Sequence, residues 1–223
     1  MKNRTVVITG ATGGMGTLVT KAFAERGDNV VLLSHDQSKL DSLAGGLGLQ
    51  EARIFTKAVD LADGEAVRSV AEAVTKKFEA IHGLIHLVGG WTGGKTIPET
   101  SKRDLDFMLS QHVHTTFNLF QAFSKPLSAN NWGRVIVVSA STVLVPPGKS
   151  SAYTAAKAAQ ENLVLSLVAE LKGTGVTGNI IQVKAIDVEN KGTGTTPAEI
   201  LSAIAYLFSE QANKVNGARI PLY

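Results

Sequence analysis

Thr5-Val6-Val7-Ile8-Thr9-Gly10-Ala11-Thr12-Gly13-Gly14-Met15-Gly16 joins an apolar run of strand length to a glycine-rich turn, and apolar residues at helical spacing follow over 16–26. Glycines at 10, 14 and 16 permit a tight turn and a close approach of backbone N–H groups to an anion. The helix N-terminus that follows adds partial positive charge. Strand, glycine turn and helix in this order predict dinucleotide binding, with Gly10, Thr12, Gly13, Gly14, Met15 and Gly16 cradling a pyrophosphate.

Further along, apolar strand-length runs recur at 29–33, 53–59, 83–88, 134–139 and 178–186. Segments with helical apolar spacing, 65–79, 101–124 and 152–171, fall between the later ones. Such alternation predicts crossover units on a buried parallel sheet. The expected fold class is therefore α/β, a Rossmann-like doubly wound parallel sheet, with 1–223 forming a single domain that holds both cofactor and catalytic residues. The glycine- and threonine-rich stretch 190–196 reads as a loop before a last helix, 197–210, and a short final strand, 218–222.

Composition removes several classes of function. At 44% hydrophobic and 18% charged, the chain resembles neither a disordered nor a membrane-spanning protein. Its longest apolar stretches are far shorter than the roughly 20 residues a membrane helix needs. The first residues run directly into a strand, which leaves no room for a signal peptide, so a cytoplasmic location is expected. With no cysteine there is no disulfide, thiolate metal site or cysteine nucleophile, and no metal is expected. A net charge of +3, with no basic block beyond Lys76-Lys77 and Lys102-Arg103, speaks against nucleic-acid binding.

The end of the second strand is where such folds read the adenosine ribose: an acidic residue accepts from the 2′-hydroxyl, a basic one accommodates a 2′-phosphate. Ser34 and His35 occupy these two positions. With no acid at 34, NADP(H) is favoured over NAD(H). Asp60 and Leu61, after the third strand, would flank the adenine, although Asp60 could equally cap a helix.

In Tyr153-Thr154-Ala155-Ala156-Lys157 a spacing of four places two side chains on one helical face. An ammonium there would favour the phenolate and pull the tyrosine pKa from about 10 toward neutrality. The chain is identified by these features as similar to the short-chain dehydrogenase/reductase family. The resemblance runs from Lys2 to about Leu222 through the glycine loop, Asp60-Leu61, a glycine-ended fourth strand, Tyr-x-x-x-Lys, and a terminal strand after Asn216-Gly217. It implies Tyr153 as proton donor or acceptor, Lys157 as its activator and ribose ligand, and Gly89 and Gly90 as cofactor contacts.

Departures from the family pattern are equally specific. The usual Asn-Asn-Ala-Gly is Leu87-Val88-Gly89-Gly90, and the family's catalytic asparagine aligns with His112. That imidazole could hold a relay water or be a helix histidine without catalytic duty. The serine expected thirteen residues before the tyrosine is Ala140, flanked by Ser139 and Ser141. Alternation along a strand points neighbouring side chains to opposite faces, so the direct register predicts no serine in the site; a one-residue change in the loop 142–149 could bring either hydroxyl in, or both simply bond at a strand end. Asn-x-Ile-x-Pro-Gly becomes Lys184-Ala185-Ile186-Asp187-Val188-Glu189, and a segment too short for a large lid follows.

The quinonoid dihydropteridine reductase branch of the family has the same losses, with a segment like Gly89-Gly90-Trp91-Thr92-Gly93-Gly94. Trp91 would offer a stacking surface to a planar substrate, or else pack at an interface. These features predict hydride transfer to a small carbonyl or a planar quinonoid or pterin-like ring. The alternative is a weakly catalytic NAD(P)-binding sensor or scaffold. As in the family, a homodimer or homotetramer is expected, with Phe107, Phe117, Phe120, Phe123 and Leu163 supplying apolar surface.

Overall fold

A computed structural model describes residues 3–223. Seven strands, β1 (Thr5–Thr9), β2 (Asn29–Ser34), β3 (Ile54–Ala58), β4 (Gly83–His86), β5 (Gly133–Ala140), β6 (Val176–Val183) and β7 (Arg219–Leu222), form one sheet in the order β3-β2-β1-β4-β5-β6-β7. Every pairing is parallel. Strands β1, β4 and β6 are buried along their whole length, as a sheet covered on both faces requires. The strand order reverses between β1 and β4, and the crevice at their carboxyl ends is where such sheets bind ligands.

Seven helices cover the two faces: α1 (Gly14–Glu25), α2 (Gln37–Gly46), α3 (Gly64–Phe78), α4 (Lys102–Leu109), α5 (Thr115–Ser128), α6 (Ser151–Glu170) and α7 (Pro197–Leu207). Strand alternation divides the core between the two sides. Val7, Val31, Leu84 and Val135 pack against α3, α5 and α6, while Val6, Ile8, Ile136 and Ile181 pack against α1 and α7. Side chains cap several helix starts: Asp36 accepts from Lys39 N, Asp63 from Glu65 N and Ala66 N, and Ser101 and Thr196 form capping boxes. Helix α1 begins after Gly13 with no side-chain cap, which leaves its first N–H groups free for a ligand.

Several sequence expectations need correction. Helix α2 is an added element; only Leu40 in it is buried, so its apolar periodicity is faint. The helix expected over 101–124 is interrupted by a π turn, Ser110–His114, and continues to Ser128. Strand β4 ends at His86, so Leu87 and Val88 lie beyond it. Strand β6 starts at Val176 and stops at Val183, short of the expected 186, and Ile186 instead bridges Thr195. Phe123 and Phe120 are core residues, at 0% and 7% exposure, and supply no association surface, whereas Phe107 and Phe117 are about half exposed. Among the described residues no helix is long and apolar enough to cross a membrane.

A buried tie links α6 to β7. Glu161, on α6 and fully buried, accepts from Gln182 Nε2 at 2.9 Å and from Arg219 Nε at 2.6 Å.

Candidate active site

At the glycine turn the backbone leaves no space for side chains. A Cβ on Gly16 would lie 2.0 Å from the Gly10 carbonyl oxygen, and Gly10 has φ +67° with the Leu87 backbone 3.2 Å from where its Cβ would be. Gly13 N donates to Gly10 O at 3.0 Å and closes the turn. The loop is thus a bare backbone concavity at an uncapped helix start, a shape and polarity that fit a pyrophosphate. Behind it the hydroxyls of Thr12 and Ser34 are 2.6 Å apart. Gly10, Ser34, His35, Asp60 and Leu61 line a cleft of about 360 Å³. His35 is exposed, and Asp36 is committed to capping α2. Asp60 lines the cleft and accepts from Ala62 N at 2.9 Å in the turn ahead of α3, and the helix-cap reading is corrected, since Asp63 caps that helix.

Val88 lines that cleft and a second one of about 360 Å³, so the two form one groove across the carboxyl ends of the strands. The second cleft is bordered by Met15, Gly89, Gly90, Trp91, His112, Tyr153 and Lys157. Trp91 is 66% exposed at its rim. A Cβ on Gly89 would sit 3.1 Å from the His112 ring, so the glycine lets the imidazole approach the loop.

Lys157 is buried, and its Nζ donates to Val138 O and to Gln160 Oε1, each at 2.9 Å. Burial lowers its pKa to about 7, against a smaller upward pull from Glu161. The sequence expectation for Tyr153 is corrected: burial raises its pKa. The physical reason is that burial removes water from the phenolate and so favours the neutral phenol.

His112 is 1% exposed, and its Nε2 donates to Gly90 O at 2.9 Å. That bond fixes the neutral tautomer and leaves Nδ1, buried and without a protein partner, as an acceptor. Its ring meets Tyr153 edge-on, centroids 5.5 Å apart at 79°. Burial, then the Lys157 charge, lowers the His112 pKa to about 4, so the imidazole is uncharged at neutral pH.

Ser139 and Ala140 both border the second cleft, and the Ser139 Oγ is buried without a partner. Ser141 opens a short turn after β5 and is not among the lining residues, so its expected place in the site is corrected. Ser139, the last residue but one of β5, lies on the α6 side where Val135 and Val137 pack, so the expectation of no serine in the site is corrected, while Ser141 lies past the strand end.

Three residues escaped the sequence reading. Lys184 borders the cleft as an exposed cation. His86, fully buried at the end of β4, has Nδ1 2.7 Å from Thr9 Oγ1 and Nε2 without a partner. Burial, then the charge of Lys157, takes its pKa to about 3. Gln160, also fully buried, holds Lys157. A lone polar residue within the apolar run 83–88 and a glutamine three residues after the lysine were the available signals.

Comparison with known proteins agrees with this geometry. The family described as short chain dehydrogenase matches residues 4–197. Nodulation protein G of Azospirillum brasilense is 28% identical, over 99% of this chain and 96% of that protein. D-threitol dehydrogenase of Mycolicibacterium smegmatis is 26% identical, over 98% and 90% respectively. The crystal structure of NAD⁺-bound xylitol dehydrogenase superposes with a TM-score of 0.87 at 18% identity, covering 98% of this chain and 97% of that one, a likeness of fold. With its Tyr-x-x-x-Lys helix and its glycine cradle in place, this chain belongs to the short-chain dehydrogenase/reductase family and is an NAD(P)-dependent oxidoreductase.

Proposed function

We propose that the protein reduces a small carbonyl or a planar quinonoid or pterin-like ring, with NADPH preferred to NADH. The observation that carries this reading is Tyr153, kept in its phenol form by burial, in a cleft that also presents the exposed indole of Trp91. The phenol carries its proton at neutral pH and can give it to a substrate atom that gains charge, the direction of reduction.

In this reading the glycine loop and the α1 N-terminus hold the pyrophosphate, and Asp60 and Leu61 flank the adenine. Ser34 and His35 accept a 2′-phosphate because no carboxylate at position 34 repels it. Once bound, the nicotinamide supplies the hydride. Tyr153 gives its phenolic proton to the substrate atom that gains charge. Lys157 turns a remaining N–H toward the cleft to hold a ribose hydroxyl and to steady the phenolate left behind. His112 keeps the Gly90 carbonyl and the Tyr153 ring in place and offers Nδ1 to a relay water. Trp91 stacks on a flat substrate. An electron-poor ring accepts hydride with less need of an oxyanion partner than a ketone has, which fits alanine at position 140. Association is expected through the groove on α5 and α6 that the half-exposed Phe117 and the partly buried Leu163 line; light scattering should give a dimer or tetramer, and a monomer would refute it.

The test is absorbance of NADPH and of NADH during turnover of quinonoid dihydropterin, small quinones and aromatic ketones, with Tyr153→Phe in parallel. Tyrosine-dependent turnover of the planar rings with NADPH is the expected result. Cofactor binding without turnover across the panel would replace the reading with a nucleotide sensor.

A further inference from the structure

Two of the three Nζ protons of Lys157 are accounted for inside the protein, and one acceptor is an amide side chain. Gln160 sits one turn after the lysine on α6, fully buried, with Oε1 2.9 Å from Nζ. Its Nε2 donates to Thr116 Oγ1 at 2.8 Å, and the Thr116 hydroxyl donates to His112 O at 2.6 Å. The neighbouring Thr115 hydroxyl donates to Gln111 O at 2.8 Å. Successive carbonyls of the π turn are therefore each held by a hydroxyl one turn further on.

Each link in the chain fixes the orientation of the next. The Thr116 proton is committed to the His112 carbonyl, so the hydroxyl can only accept from the glutamine. Gln160 must then present Nε2 to the threonine and Oε1 to the ammonium. An amide neither gains nor loses a proton at accessible pH, so this chain orients groups and does not conduct protons. It joins the lysine on α6 to the π turn that carries the His112 ring, which in turn packs on Tyr153.

We propose that Gln160 is a positioning residue: an uncharged anchor that fixes the Lys157 ammonium against the end of β5, couples it through Thr116 to the π turn, and leaves one N–H for the cleft. The role of Lys157 beside Tyr153 rests on the proposed reductase reading; the anchoring itself does not. Neutrality is the essential property. The nearest carboxylate, Glu161, is already occupied by Gln182 and Arg219. A second carboxylate at position 160 would pin the lysine as a permanent ion pair and raise its pKa. The other titratable groups facing Lys157 are Tyr153 on α6, His86 on β4 and His112 on the π turn, none carrying charge at neutral pH.

The experiment follows the Lys157 titration by NMR in ligand-free protein labelled with [¹³Cε]lysine, the resonance being assigned by its loss in Lys157→Met. The variants are Gln160→Glu, Gln160→Leu and Thr116→Val, and turnover is measured alongside. The glutamate should raise the lysine midpoint by about one unit or more, and the leucine should lower it. For the substrate that the wild type reduces, Gln160→Leu should lower kcat about tenfold or more with KM little changed, as expected for a misplaced group. Thr116→Val is nearly isosteric, and so provides a folded variant if the glutamine changes are not tolerated; it should move the midpoint less than Gln160→Leu and in the same direction. Unchanged midpoints in the folded variants would overturn the proposal. Should the wild type reduce nothing in the panel, the titration still decides the anchoring while the reductase reading falls.

Discussion

The two ends of the groove are built from different materials. At the pyrophosphate end the walls are backbone, and the site is defined by where side chains are forbidden: Gly16 under the Gly10 carbonyl, and Gly10 at positive φ beside Leu87. At the other end most of the walls are side chains, delivered by the loop after β4, by β5, the π turn and α6, and by the end of β6. A site made of backbone cannot change its residues without losing its shape. One made of side chains can exchange members and keep its shape, and alanine at 140 and histidine at 112 stand in such a wall here.

Tyr153→Phe would separate the two ends most sharply. Turnover should fall by about 10²- to 10⁴-fold, the scale of positioned acid catalysis, while fluorescence titration shows cofactor binding intact. Equal loss of both would mean that the two ends are a single site energetically. Within the backbone end, Gly16→Ala should cost about 3 kcal/mol or more in urea unfolding and remove cofactor binding, because the new Cβ meets backbone that cannot yield. Gly14→Ala, with open space around its Cβ, should change stability by no more than about 1 kcal/mol. If the two alanines behave alike, the cradle is not sterically defined.

Acid should expose the catalytic end first. His86 and His112 have folded-state pKa values of about 3 and about 4, while unfolded histidine lies near about 6.5. The unfolded chain therefore takes up protons first as pH falls. The stability these residues contribute is complete above about pH 6.5 and is lost toward about pH 4 for His112 and about pH 3 for His86. The slope is about 1.4 kcal/mol per pH unit for each. Thermal melts between pH 7 and pH 5 check this, and His112→Asn should flatten the profile. The smallest effect belongs to the adenosine end: Ser34→Asp should turn the NADPH/NADH ratio of kcat/KM toward NADH by about tenfold, since a carboxylate repels a 2′-phosphate and accepts from a 2′-hydroxyl.

The same contrast explains what could be read from the chain. The glycine cradle, the parallel sheet and the Tyr153–Lys157 helix are local in sequence, carried by periodicity and spacing within about twenty residues, and the structure has them. The π turn was not legible, because one inserted residue in a helix leaves the apolar pattern nearly unchanged. Helix α2 was missed because it buries a single leucine. The company kept by Lys157 was hidden for another reason: Val138 on β5 and Gln160 on α6 accept from it, Thr116 on α5 holds the glutamine, and no local pattern encodes that convergence. The effect on Tyr153 was misjudged because spacing shows the helical face it shares with Lys157 and not the burial of the phenol.

The Glu161–Arg219 pair sets an order on synthesis. The carboxylate on the catalytic helix is translated 58 residues before the guanidinium that compensates it. At ribosomal rates of about 5–20 residues per second, that interval lasts roughly 3 to 12 seconds. During this time α6 cannot complete its docking without burying an unpaired charge. The nascent chain thus keeps its catalytic helix provisional until the final strand emerges, and a ribosome stalled in that window holds a protein that can form its glycine cradle but not its finished active site.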